Sequence, residues 1–271
     1  MKTEIKLITP AIAEEMLEMN TMNRCLKPSL ITEYSRQMKA GLWKEGTGEA
    51  IKIASDGTIL DGQHRLVCIT KCNISIECLI ITGLEKDIFP VLDTGKSRSA
   101  ADVFHISGVV YSSKIAAGVK RYYVLKKGRM SGTSAGKENA GISNTELLIL
   151  YNKRVEFWIA VNQMAQNWYT KFQRVLTHAD IFGLYSFFYD LDNIEAFTFM
   201  DSLCIGNDLN LDSPIKCLRD KLIFAKTNTK MILLPSVKLA YIYKAWNVFR
   251  SGKSMTSLRF NNELESFPVP K

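Results

Sequence analysis

Hydrophobic and polar positions change their period several times along the first hundred residues, and each change marks an element. Thr9-Pro10 sets an N-cap residue before a proline at the first helical position, and AIAEEMLEM follows with helical spacing. Lys27-Pro28-Ser29 opens a second helix, with Ile31, Tyr34 and Met38 on one face and Gly41 as its stop. Ala50 to Ala54 alternates as a strand, Ser55-Asp56-Gly57 turns the chain, and Thr58 to Leu60 returns. A third helix is expected from Gln63 to about Lys71, with Leu66 and Ile69 inward and Asn73 at its end. Ser75 to Ile81 then reads as an apolar strand. Helix, hairpin, helix and strand in that order predict a compact α+β domain.

Beyond it the pattern becomes helical. Ser99 and Asp102 form a capping box ahead of a short helix that Gly108 ends, and Lys114 to Lys127 is a helix rich in Lys, Arg and Tyr. Residues 128–141 are small, polar and glycine-rich, the composition of a flexible loop or linker. Further helices are signalled by Ser143 with Glu146, Thr177 with Asp180, Ser213-Pro214, and Pro235 running through Trp246 to Phe249 with a stop at Gly252. Phe157, Trp158, Phe187, Phe188, Phe197, Phe199, Tyr241 and Trp246 recur at spacings that helical cores use. The expected layout is a first domain over 1–127, a linker over 128–141, and an all-α bundle over 142–271.

Composition narrows the class. In 271 residues the hydrophobic fraction is 46% and the charged fraction 23%, which is the balance of a soluble globular protein. No apolar run approaches membrane-spanning length and MKTEIKLITP lacks a signal-peptide core, so a cytoplasmic protein without a membrane partner is expected. Six cysteines, mostly in apolar stretches, fit reduced thiols better than a disulfide framework. A net charge of +8 favours polyanionic partners such as nucleotides or nucleic acid.

The candidate chemistry centres on Thr58-Ile59-Leu60-Asp61-Gly62-Gln63-His64-Arg65-Leu66, a strand end, a tight turn and an immediate helix start. Amides and dipole at a helix N-terminus suit phosphate or carboxylate, Gly62 permits close approach to the main chain, and Arg65 offers a two-pronged guanidinium. Asp-Gly is equally a common hairpin turn, and Arg65 alone equally a surface charge. A second cluster, Asp93-Thr94-Gly95-Lys96-Ser97-Arg98, again joins an apolar strand end to a helix. It is not a P-loop, because Pro90 stands where that motif needs its first glycine. Its hydroxyl, ammonium, guanidinium and carboxylate suit a triphosphate with Mg²⁺ reached through water, or an internal Asp93–Arg98 pair.

Other constellations are weaker. His64, Cys68 and Cys72 share one helix face, but the outer two lie about 12 Å apart along the axis, too far for one zinc ion. His105 and His178 fit packing or capping roles. Lys120-Arg121-Tyr122-Tyr123-Val124-Leu125-Lys126-Lys127-Gly128-Arg129 interleaves cations with tyrosines, as DNA-backbone contact requires and as a solvated helix face also shows. Lys120, Arg121, Lys126, Lys127 and Arg129 are its candidate nucleic-acid contacts. No carboxylate cluster suited to a two-metal nuclease is visible.

The series Asn23-Arg24, Gly41-Leu42-Trp43 and Gly57 to Leu66 resembles the ParB/sulfiredoxin superfamily, and more closely its "DGQHR" branch of phage and mobile-element proteins. LDTGKSRSAAD is similar to that branch's second box, so the likeness spans about residues 1–110. The resemblance implies a ParB/sulfiredoxin-like domain that binds ATP or CTP. Gly62, Gln63, His64 and Arg65 would lie on the nucleotide, together with Arg24, Thr94, Gly95, Lys96, Ser97 and Arg98. Gln63, His64 and Asp61 would then be the catalytic candidates, Arg65 and Lys96 would neutralise charge, and Asp61 or Asp93 would hold Mg²⁺. Gln63 stands where sulfiredoxins carry their catalytic cysteine, which argues against sulfinic-acid repair, and no helix-turn-helix is recognisable in 142–271. The resulting expectation is a nucleoside-triphosphate-binding protein, with or without slow hydrolysis, that associates with DNA, a DNA-processing partner or a second copy of itself. A serine-kinase-like phosphotransferase, with Glu45 or Glu49 as base, and a non-catalytic interaction protein are the alternatives.

Overall fold

The computed structural model describes residues 1–20, 26–91, 99–128, 141–207, 209–228, 233–261 and 263–271. Arg24, the cluster from Asp93 to Arg98, Arg129 and nearly all of the expected linker lie outside the described residues. The fold is α+β and divides into two compact units, Met1–Ser97 and Arg98–Lys271.

The first unit is built from β1 (Lys2–Ile8), α1 (Pro10–Glu18), α2 (Pro28–Lys39), β2 (Ile51–Ala54), β3 (Ile59–Asp61), α3 (Gln63–Cys72) and β4 (Ile76–Leu84). Its sheet has the order β1-β4-β2-β3, with β2 and β4 parallel and the other two pairs antiparallel. Thr9 caps α1 by accepting from the Ile12 amide, Pro28 occupies the first turn of α2, and Gly41 takes a left-handed conformation just past that helix. Ile76, Cys78 and Ile80 of β4 pack with Ala13, Ile31, Met38, Leu66 and Ile69, so the three helices cover one face of the sheet. β1 was not expected from the sequence. Its residues from Lys2 to Leu7 are all exposed, and only Ile8 is buried.

The second unit contains α4 (Ala100–Ile106), α5 (Ser112–Lys126), α6 (Asn144–Asn152), α7 (Val155–Lys171), α8 (His178–Tyr189), α9 (Asn193–Ile205), α10 (Pro214–Thr227) and α11 (Pro235–Arg250). The expected boundary near 127 moves to 97/98, because α4 and α5 do not trail the first unit. Phe104, Ile115, Val119, Tyr122 and Leu125 share a core with Trp158, Phe182 and Trp246. Two glycines let α5 and α8 approach closely. A Cβ on Gly118 would collide with the Phe182 ring, and one on Gly183 would lie 2.6 Å from Arg121 Cγ. Phe188 stacks on Trp246 with ring centroids 4.1 Å apart, and Phe199 meets both edge-on. Phe197 departs from the core expectation and is exposed, while Phe157 and Phe187 are half-buried.

Candidate functional site

Asp61 ends β3 and Gly62, at φ +100°, turns the chain directly into α3. A Cβ on Gly62 would meet Ile51 Cγ1 at 2.9 Å and Ile51 Cα at 3.3 Å. Both the left-handed backbone and the nearness of β2 therefore demand glycine here, independently of any ligand. Asp61 Oδ1 accepts from the Gly62 amide at 2.6 Å, while Oδ2 lies 3.5 Å from Lys52 Nζ and 3.6 Å from Arg65 Nη2. The carboxylate thus sits between two cations on adjoining elements.

The next three side chains diverge to three different parts of the unit. Gln63 is buried and its Oε1 accepts from Asn20 Nδ2 at 3.1 Å, just beyond α1. His64 is buried and its Nε2 accepts from the Lys27 amide at 3.0 Å, the residue before α2 begins. That bond needs the Nε2 lone pair, which places the ring proton on Nδ1 in the neutral imidazole. Arg65 donates from Nη1 to the Glu49 carbonyl and from Nη2 to the Ala50 carbonyl, the latter at 2.6 Å, at the entry to β2. Its side chain is only 14% exposed. Charge-assisted bonds of this kind contribute about 1.5–3 kcal/mol each.

His64 also begins a ladder. The Cys68 thiol approaches the Ile31 carbonyl at 3.5 Å and the Cys72 thiol approaches the Ser35 carbonyl at 3.6 Å. Successive turns of α3 therefore meet successive turns of α2, and the two helices run side by side in the same direction. The face that suggested a zinc site is an interhelix seam. Burial pushes the Cys68 thiol pKa up, so it stays protonated. Among the described residues no group of three or more His, Cys, Asp or Glu could hold a metal ion. Asp61 is a lone carboxylate with Oδ1 held by the Gly62 amide and Oδ2 between Lys52 and Arg65, a donor set that cages no ion and offers Mg²⁺ at most one ligand.

An open cavity of about 780 Å³ lies elsewhere in this unit, along α2 and the end of α3, with Arg36, Lys39 and Lys71 on its rim. Those cations fall in the last turns of their helices, where they also complement the helix dipoles. The chemistry at Asp61–Arg65 and this cavity do not coincide, and the side-chain geometry defines the candidate site better than the concavity does.

In the second unit the basic segment is partly engaged. Arg121 pairs with Asp180 at 2.8 Å, and Lys126 pairs with Asp190 at 2.7 Å while donating to Tyr122 Oη at 2.8 Å. Asp190 also receives Arg154 at 2.8 Å and Tyr122 at 2.6 Å. Burial raises the Asp190 pKa, but bonds from Lys126, Tyr122 and Arg154 outweigh it and leave the carboxyl below its usual range. Lys120 and Lys127 remain exposed, the latter over the Tyr123 ring. Glu45 and Glu49 are exposed, and Glu49 enters the site through its carbonyl alone. Asn20 and Lys52 were missed from the sequence, since nothing local marks a partner that arrives from another element.

Compared with known proteins, the chain matches no family model, no curated protein and no solved structure.

Proposed function

We propose that the first unit binds a nucleoside triphosphate, ATP or CTP, with Mg²⁺ at the start of α3, and that the nucleotide governs association with DNA or a DNA-processing partner. One observation carries this reading: a strand end at Asp61, a left-handed Gly62 and the start of α3 follow one another without a break, which leaves a helix N-terminus directly after a glycine. The positive end of the α3 dipole faces an incoming phosphate there, and Asp61 supplies a carboxylate to the metal. Arg65, engaged with two carbonyls, acts as the wall of the site more than as a free phosphate clamp. The net positive charge that suits DNA lies in the second unit. The first unit carries 12 Lys and Arg against 13 Asp and Glu, whereas the second carries 23 against 14.

A second reading, the non-catalytic interaction protein, draws on the same bonds. Gln63, His64 and Arg65 each tie down a different element, and a motif with that internal task needs no nucleotide. Thermal unfolding with ATP, CTP and GTP, with and without Mg²⁺, separates the two. A Mg²⁺-dependent rise in melting temperature with one nucleotide is expected, and no rise with any of them sinks the nucleotide reading. Product analysis then distinguishes slow hydrolysis, which releases inorganic phosphate, from transfer to a hydroxyl acceptor. Fluorescence polarisation with duplex DNA, run across a salt series with and without that nucleotide, tests the coupling.

A further inference from the structure

β1 pairs with β4 along one side, and its other side pairs with no described strand. Ile5 and Leu7 are 73% and 52% exposed, on the face of the sheet opposite the helices, beside Leu79 and Glu77 of β4. An edge of seven residues with open hydrogen-bonding groups and exposed aliphatics is a template for another strand.

The sequence of β1 is complementary to itself in one register. Set two copies antiparallel about a two-fold axis through Ile5, and all seven residues from Lys2 to Ile8 find partners. Glu4 then lies opposite Lys6 of the second copy, and Lys6 opposite Glu4 of the second copy. Thr3 faces Leu7, and Ile5 faces Ile5 on the axis. The order Leu79, Ile5, Ile5, Leu79 continues as an apolar row across the junction. A slip of two residues one way puts Glu4 against Glu4 and Lys2 against Lys6, and a slip the other way puts Lys6 against Lys6. A one-residue slip sends the side chains to opposite faces. Opposite charges stabilise cross-strand pairs and like charges destabilise them, so the charges select the register that also has the greatest overlap.

We infer that the free edge of β1 is a self-association surface, on which a second copy of this chain adds antiparallel to join two four-stranded sheets into one of eight. The interface is isologous and closed, so it ends at a dimer and does not propagate.

Sedimentation equilibrium of the full chain tests this over a wide concentration range. The wild type is expected to approach twice 30.6 kDa as concentration rises. Glu4→Lys alone and Lys6→Glu alone each set like charges opposite one another twice, and each is expected to weaken the dimer at least about tenfold. The double variant Glu4→Lys/Lys6→Glu restores both pairs in reversed polarity and is expected to return to wild-type association. Both positions are exposed, so equal melting temperatures at concentrations where every form is monomeric will show that the monomer fold is intact. A wild type that stays monomeric at every concentration overturns the inference. So does a dimer indifferent to the single variants, or single defects that the double variant fails to repair.

Discussion

The two units are held together by different means. In the second, large aromatic side chains meet in one continuous core, with Trp158, Trp168, Trp246, Phe182, Phe188 and Phe199 fully buried. In the first, the apolar cluster is aliphatic and modest, and polar side chains at the start of α3 tie it to its surroundings. A stacked core tolerates loss of a single contact poorly because the void that remains is large, whereas a polar tie fails by leaving its partner unsatisfied. The most motif-like segment of the chain is thus also a structural junction. Removing its side chains therefore disturbs folding before it reports on ligand binding.

Each unit has its own anchor, and the aromatic one carries the larger share of stability. Trp246→Ala removes the ring stacked on Phe188 and is expected to cost about 4 kcal/mol in urea unfolding. A loss under about 1 kcal/mol would mean that the aromatic core is not what stabilises the second unit.

Arg65→Ala deprives the Glu49 and Ala50 carbonyls of their donor and Asp61 of one of its two cations, and is expected to cost about 3 kcal/mol. Arg65→Lys should recover little, because one ammonium cannot span two carbonyls as the planar fork does. Hydrogen exchange locates the damage. Faster exchange in β2 with α5 and α8 still protected supports the junction role, and uniform exchange changes would refute it.

The smallest effect is a pH dependence in the second unit. Burial holds the His178 pKa below its ordinary value of 6.5, and its Nε2 is buried without a hydrogen-bond partner. Above pH 6.5 the folded and unfolded chains both keep this ring neutral and its contribution is complete. As pH falls through 6.5 the unfolded chain takes up a proton that the folded chain refuses, so stability declines until pH reaches the lower folded value. Urea midpoints measured between pH 7.5 and pH 5.5 should fall with pH, and His178→Gln should flatten that slope. An equal slope in the variant assigns the dependence to another group.

Much of the fold was legible because helix starts and stops are local. Thr9, Ser99 with Asp102, Ser143 with Glu146, and Ser213 cap the helices that their spacing predicted. Thr177 forms half of its expected box, accepting from the Asp180 amide while its hydroxyl donates to that carboxylate. Asn73 and Gly41 end α3 and α2 in left-handed conformations, as their residue types suggested. β1 is not marked in the sequence, because only Glu4 to Leu7 alternates and an edge strand with six of its seven residues exposed buries no apolar face.

The helices, the hairpin, the glycine turn at residue 62 and the aromatic stock of the second core are written locally in the amino-acid order. Those features depend on neighbours within four or so residues, where sterics and capping act. What Gln63, His64 and Arg65 touch, why Gly62 has no room for a Cβ, and the grouping of α4 and α5 with the helices that follow emerge once distant segments pack together. Those outcomes rest on groups 15 to 43 positions away for the side-chain bonds. No local rule in the sequence announces which distant carbonyl or amide will be brought within 3 Å.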